Sequence, residues 1–174
     1  MKKFIILLSG LLLVTTLKAQ VLKLNILSPI FKTANLSYEH AISKNGSIQI
    51  GFFYTGYKAD VTIFNGFGIT PEYRFYLSET EAPEGVYAAP FVRYQSFTVE
   101  NTDTSGTGKF SAIGGGLILG KQWIFKEKIA LDAFLGPAYY SGKVEADSGD
   151  ESDFDVGFFD GFGLRFGVCF GVKF

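Results

Sequence analysis

From about residue 21 onward the chain alternates bulky apolar side chains with small or polar ones. The last segment shows the rhythm best. Leu164, Phe166, Val168, Phe170, Val172 and Phe174 share one face, and Gly163, Arg165, Gly167, Cys169, Gly171 and Lys173 share the other. A period of two with one bulky face is a β-strand. The same rhythm predicts eight strands: about Val21 to Leu27, Ala34 to Ile42, Ser47 to Thr55, Phe67 to Leu77, Val86 to Phe97, Phe110 to Trp123, Ile129 to Tyr140 and Phe158 to Phe174. Stripes of helical period are absent, and no apolar run in this stretch reaches the ~18 residues of a membrane helix.

The connections alternate in length. Ser43 to Gly46 and Phe125 to Lys128 are tight, and Ser78 to Gly85 is intermediate. Gly56 to Gly66, Thr98 to Lys109 and Ser141 to Gly157 are long and polar, while Ser28 to Thr33 is short for its side. Short turns at one end and long loops at the other are the layout of an outer-membrane barrel. A soluble lipocalin-like barrel would show the same alternation, with the apolar face inside. Volume separates the two, because eight strands enclose little more than their own side chains. The chain carries 19 Phe and 9 Tyr against 21 Gly, too many rings for so narrow an interior. Small residues and charges suit the lumen, and Phe and Leu suit lipid. Trp123 and Tyr139, near strand ends, suit the aromatic girdles. The expected fold is therefore all-β: an eight-stranded antiparallel up-and-down transmembrane β-barrel. Pro71, Pro90 and Pro137 fall inside strands and should bring bulges or weakened pairing, since a closed barrel has no edge for a missing N–H. Lys121 and Gln122 are adjacent, so one of them faces badly unless it lies at the membrane interface.

The first nineteen residues read differently. Lys2 and Lys3 precede an 11-residue apolar stretch from Phe4 to Val14, and Ala19 offers a small residue for cleavage. That is the build of a secretory signal peptide. A membrane anchor is the alternative, but such a stretch covers only roughly half of a ~30 Å hydrocarbon core. No Cys follows it, which removes a lipoprotein. The expected organisation is a signal peptide over residues 1–19 and a barrel over 20–174. Loss of Lys2, Lys3 and Lys18 takes the formal charge from −1 to −4.

Several stretches together resemble a known family. They are Asn25-Ile26-Leu27-Ser28-Pro29, Leu36-Ser37-Tyr38-Glu39, Pro71-Glu72-Tyr73-Arg74-Phe75-Tyr76, Ala89-Pro90-Phe91-Val92-Arg93-Tyr94, the Gly114 to Gly120 run and Gly136-Pro137-Ala138-Tyr139-Tyr140. In this order they resemble a family of small outer-membrane β-barrels of unknown function from Bacteroidetes-type bacteria. Phe170, Val172 and Phe174 resemble the C-terminal signal read by the barrel assembly machinery. The resemblance implies a fold and a location, with termini in the periplasm and long loops outside. It brings no activity.

Candidate chemistry is sparse. A single Cys excludes a disulfide framework, and the near-neutral charge excludes a nucleic-acid surface. His40 is the only His, and Ala41 and Ile42 stand where an acyl hydrolase would need a Ser, so no catalytic residue is assigned. Cys169 reads as a small buried residue. Neither a cofactor nor a metal is expected. The face with small residues carries Glu39, Glu72, Arg74, Arg93, Asp132 and Arg165, three acids and three bases. In a narrow lumen these should pair. A turn over Ser78 to Gly85 places Arg93 near Thr70 and diagonal to Glu72, which suggests a Glu72–Arg93 pair. The group reads as a structural plug, with a proton or small-ion path as the alternative. The segment holding Glu145, Asp147, Asp150, Glu151, Asp153 and Asp155 against Lys143 has a local charge of −5. It reads as a solvated loop, with weak divalent-cation capture as the alternative.

The sequence thus points to a structural or interaction protein of the outer membrane, working through its loops or as an accessory subunit. The alternative is a narrow conduit or small-ligand binder. Its expected partners are outer-membrane lipid, lipopolysaccharide and the assembly machinery, with a further protein partner unassigned. Intact mass of the protein from isolated outer membranes should correspond to a chain beginning at Gln20. Recovery from the soluble periplasm would restore the lipocalin-like alternative.

Overall fold

The structure, a computed structural model, describes residues 20–59, 62–101, 107–148 and 161–174. The expected signal peptide and most of the acidic segment lie outside them. Eight strands follow one another around a closed antiparallel barrel. They are β1 (Gln20–Asn25), β2 (Thr33–Ser43), β3 (Gly46–Ala59), β4 (Thr62–Tyr76), β5 (Gly85–Asn101), β6 (Thr107–Phe125), β7 (Ile129–Ser148) and β8 (Gly161–Lys173), with one 3-10 turn at Ser28–Phe31. The ring closes where β1 meets β8, from Val21 opposite Lys173 to Asn25 opposite Cys169. Gln20 and Phe174 exchange backbone hydrogen bonds of 3.2 and 2.9 Å at that seam.

The faces fall as the alternation predicts. Phe170, Leu135 and Ile113 are exposed on the outside, while Glu39, Arg74, Gln122 and Asp132 are 0% exposed inside. Apolar side chains outside and charges inside invert the arrangement of a soluble protein, and match a wall solvated by lipid. The Lys121–Gln122 conflict resolves cleanly. Gln122 enters the lumen, and Lys121 points out with its Nζ 5.3 Å from the Trp123 ring centroid.

The bulky residues are not all outside. Phe53, Tyr87, Phe91 and Phe97 point inward and are buried. Each has a glycine opposite it on a neighbouring strand: Gly68 for Phe53, Gly120 for Tyr87, Gly116 for Phe91 and Gly66 for Phe97. A Cβ at Gly68 would lie 2.2 Å from the Phe53 ring, and one at Gly120 2.5 Å from that of Tyr87. The inward glycines are therefore seats for rings, and they let a narrow barrel hold more aromatic volume than a simple count allows.

Strand lengths differ from the sequence reading at the loop end. The hairpins β3–β4 and β5–β6 stay paired through most of the segments expected as long loops, and β7 runs on to Ser148 paired with β6. The polar residues there sit on both faces of a ladder that has left the apolar band, so water satisfies both sides and the backbone keeps its partners. At the other extreme, β1 ends at Asn25 and not at Leu27. Asn25 Oδ1 accepts the Leu27 N–H at 3.0 Å, and the Ser28 hydroxyl donates to the Asn25 carbonyl at 2.8 Å. Pro29 has no N–H to continue a ladder, and the turn closes with Lys32 at φ 51°.

The three prolines thin the ladder. Pairing of β4 with β5 is interrupted between Ile69–Tyr94 and Glu72–Phe91, and again before Phe75–Ala88, at the levels of Pro71 and Pro90. Pairing of β6 with β7 skips from Gly116–Ala138 to Leu119–Leu135, at Pro137. Their effect is weakened pairing without a shift of register.

Phe170→Asp puts a charge on the outward row of β8, and deletion of Phe174 removes the last apolar position. Both variants should lose heat-modifiable migration on unboiled gels, because charge on a lipid face opposes insertion. Normal migration of Phe170→Asp would refute the assignment of that face.

Candidate functional site

Towards the end with tight turns, the lumen is filled by one ion cluster. Lys23 Nζ lies 2.5 Å from Glu39 Oε2 and 3.1 Å from Asp132 Oδ2, and donates to Gln122 Oε1 at 2.6 Å. Arg74 Nη1 lies 2.8 Å from Asp132 Oδ2 and 3.3 Å from Glu39 Oε2. Its Nε lies 2.6 Å from Glu72 Oε1. Arg165 Nη1 takes the other oxygen of Glu72 at 2.7 Å. Three cations thus face three carboxylates, and the cluster is neutral.

Neutral groups complete the shell. The hydroxyls of Ser47 and Tyr76 donate to Glu39 Oε1 at 2.5 and 2.7 Å, and Tyr87 donates to Asp132 Oδ1 at 2.8 Å. Gln49 Nε2 donates to Glu72 Oε1 at 3.2 Å. Gln122 Nε2 donates to the carbonyl of Pro83 at 2.5 Å, which ties in the β4–β5 turn. Ala82 of that turn packs on Tyr76 and Tyr87 and closes this end of the barrel. Every strand contributes at least one group. The carboxylates meet the condition for burying charge, namely pairing plus hydrogen bonds for the remaining lone pairs, while Arg74 Nη2 has no acceptor and its guanidinium lies 4.2 Å from the Tyr87 ring centroid.

Five of the six expected lumen charges, Glu39, Glu72, Arg74, Asp132 and Arg165, join this cluster. Arg93 does not, and the expected Glu72–Arg93 pair is corrected. Both oxygens of Glu72 are already taken by Arg74 and Arg165. Arg93 lies across from Thr70 as the turn predicts, and its Nε donates to Thr70 Oγ1 at 2.9 Å. Its guanidinium sits 5.0 Å from the Phe53 ring centroid and 6.0 Å from that of Tyr140. No described carboxylate lies within 4.0 Å of it.

Lys23 takes its place, and the sequence reading left it out. The alternation did put Lys23 on the inward face of β1, opposite Leu22 and Leu24, and that signal could have found it. Gln122, Tyr76 and Tyr87 were also missed. The Glu72–Arg74 contact was legible, because residues two apart on a strand share a face.

Above the cluster lies a cavity of about 470 Å³, reached by Ser37, Gln49, Thr70, Arg93, Arg165 and Cys169. Cys169 is buried there, as expected. Gln49 Oε1 is buried without a hydrogen-bond donor. Further towards the loop end the buried rings of Phe53, Phe97 and Phe110 succeed one another at 6.3 and 6.0 Å and fill the lumen. His40 lies on the outer row of β2, opposite Gln20 and Ile48. Of the acidic segment, Glu145 is exposed on β7, and Asp147 belongs to the same strand. Asp150, Glu151, Asp153 and Asp155 lie outside the described residues. Phe170, Val172 and Phe174 point outward.

Comparison with known proteins agrees with this architecture. The N-terminal β-barrel domain of Pseudomonas aeruginosa OprF superposes with a TM-score of 0.51 at 13% identity, over 91% of this chain and 98% of that one. A major outer membrane protein from Thermus thermophilus gives a TM-score of 0.56 at 13% identity, over 90% of this chain and 98% of that one. At such identities the likeness concerns the fold alone. No curated protein sequence matches the chain. Residues 3–148 match a family profile described as a protein of unknown function, DUF3575. The chain therefore belongs to the DUF3575 family, and it has the closed eight-stranded up-and-down barrel fold found in outer-membrane proteins.

Proposed function

We propose that the protein is a small integral outer-membrane barrel whose lumen is plugged, and that it acts structurally or through its loops, as an interaction protein or accessory subunit. The observation that carries this reading is the neutral cluster of Lys23, Arg74, Arg165, Glu39, Glu72 and Asp132 across the barrel. A conducting path needs water or mobile ions in the lumen. Here the side chains of Lys23, Glu39, Arg74 and Asp132 are 0% exposed, and each is bonded to another member. The outward apolar rows support placement in a membrane. The free outward row of Phe170, Val172 and Phe174 supports delivery by the barrel assembly machinery. On this reading the termini and tight turns face the periplasm, the long hairpins face outward, and no catalytic step is assigned.

The plug can be tested in two ways. In planar bilayers the protein should show no stable large conductance, and a reproducible porin-sized conductance would promote the conduit. Lys23→Met and Asp132→Asn should each lower the unfolding midpoint in urea, since breaking a buried pair typically costs ~3–5 kcal/mol. The double variant should recover part of that loss, the mark of coupled groups. Strictly additive effects would show that the two are not partners.

A further inference from the structure

Among the described residues the β1–β8 ladder is, with that of β1 and β2, the shortest of the closed barrel. Pairing of β1 with β8 ends at Asn25–Cys169, with one more bond from the Ile26 N–H to the Val168 carbonyl at 2.8 Å. From Gly161 to Gly167, β8 has ladder partners on β7 alone among the described residues. Where a longer β1 would continue, the chain instead makes its 3-10 turn and returns as β2. This leaves a slot between β8 and the β1–β2 connection.

The slot opens into the cavity of about 470 Å³ described above. Leu27 and Phe31 line one side of its mouth, and Leu164 and Phe166 the other. The Phe31 and Phe166 rings meet edge-on across it at 6.3 Å. The buried Phe53, Phe97 and Phe110 rings lie above the cavity, and the ion cluster lies below it. A sideways way in would lead past this apolar rim, where the Phe31 and Phe166 rings touch. Inside stand Arg93, with no described carboxylate partner, and Gln49 Oε1, with no donor.

We propose that this is a lateral binding site for a singly acylated anionic amphiphile, in its simplest form a long-chain fatty acid. Its carboxylate would rest on Arg93, and its chain would leave through the slot between Leu27 and Phe31 on one side and Leu164 and Phe166 on the other. The proposal rests on the placement of the barrel in a membrane. Two physical arguments select this class. Arg93 is a cation whose guanidinium fork fits a carboxylate, held between two rings. The cavity lies at the small end of the ~300–1,000 Å³ range of ligand sites, which suits one chain and not a two-chain phospholipid.

The test uses the full mature chain in phosphatidylcholine nanodiscs with a diazirine-bearing hexadecanoic acid. Photolabelling should map to the 3-10 turn and to β8 around Leu164 and Phe166. Hexadecanoate should compete for it, and hexadecanol should be weaker by about ten-fold or more, the worth of a charge-assisted hydrogen bond. Arg93→Met should abolish that preference, and Arg93→Lys should keep most of it. If Arg93→Met fails to fold, the wild-type comparison of acid with alcohol decides alone. Labelling spread evenly over the outward rows, or equal competition by acid and alcohol, would overturn the site. Heat-modifiable migration of the same samples separates the two levels of inference. Wild-type protein that migrates as a folded barrel yet shows no acid preference refutes the site and leaves the barrel standing. Protein that never shows the shift refutes the membrane placement, and the site with it.

Discussion

An eight-stranded ring encloses so little space that any charge falling inside must find its counter-charge there. The rest of this structure follows from that constraint. Glu39, Glu72 and Asp132 come from three strands, Lys23, Arg74 and Arg165 from strands β1, β4 and β8, and the six balance to zero. Because each carboxylate is bonded by more than one group, no single pair sets the register. The cluster fixes all eight strands relative to one another at once. In a membrane this has a particular value. Outward rows facing lipid tails as apolar as themselves would contribute little to choosing one register over another. Specificity must come from inside, from charges and from rings seated on glycines.

Those glycines resolve an apparent contradiction in the composition. A chain with 19 Phe and 9 Tyr cannot place every ring outside while also filling its lumen. Phe53 over Gly68, Tyr87 over Gly120 and Phe97 over Gly66 show how rings and narrow walls coexist. Phe53, Tyr87, Phe91 and Phe97 each face a position that lacks a Cβ, whereas Phe110 lies opposite Phe97 and Val144 and packs over Gly142. At these positions glycine is coupled to an inward aromatic, while at Gly136 and Gly171 a Cβ would meet neighbouring backbone instead.

The parts of the fold that depend on local pattern were legible in the sequence. Strand number, order and the two faces follow from the period of two, and the prolines marked the levels where pairing thins. The lumen membership of Glu39, Glu72, Arg74, Asp132 and Arg165 follows from parity alone. What failed was anything set by stagger. Following the ladder from Lys23 around to Gly161 brings the chain back opposite the position of Thr33, ten residues further on. Parity says which residues enter the lumen, but only this shear says at what height. Arg93 and Glu72 share a hairpin and look like neighbours, yet Arg165, 93 residues from Glu72 in sequence, reaches it first. Lys23 looked like an isolated base on a short strand, and the stagger brings it level with Asp132.

The same stagger divides the lumen into two compartments. The level of Lys23, Arg74 and Asp132 is a neutral floor, closed by the Ala82–Pro83 turn and bonded to every strand. One ladder step towards the loops, Arg93 has the hydroxyls of Thr70 and Tyr140 and ring faces but no described carboxylate within 4.0 Å, and Gln49 presents an acceptor without a donor. At this level, too, β1 stops and the wall opens. Had Arg93 joined the cluster in place of Lys23, the six would still sum to zero, but the leftover cation would stand on β1, at the sealed end and away from the slot. The observed assignment places the unmatched positive charge beside the opening in the wall. A purely structural plug has no need of that coincidence, whereas a chamber that takes an anionic head group from the side requires it.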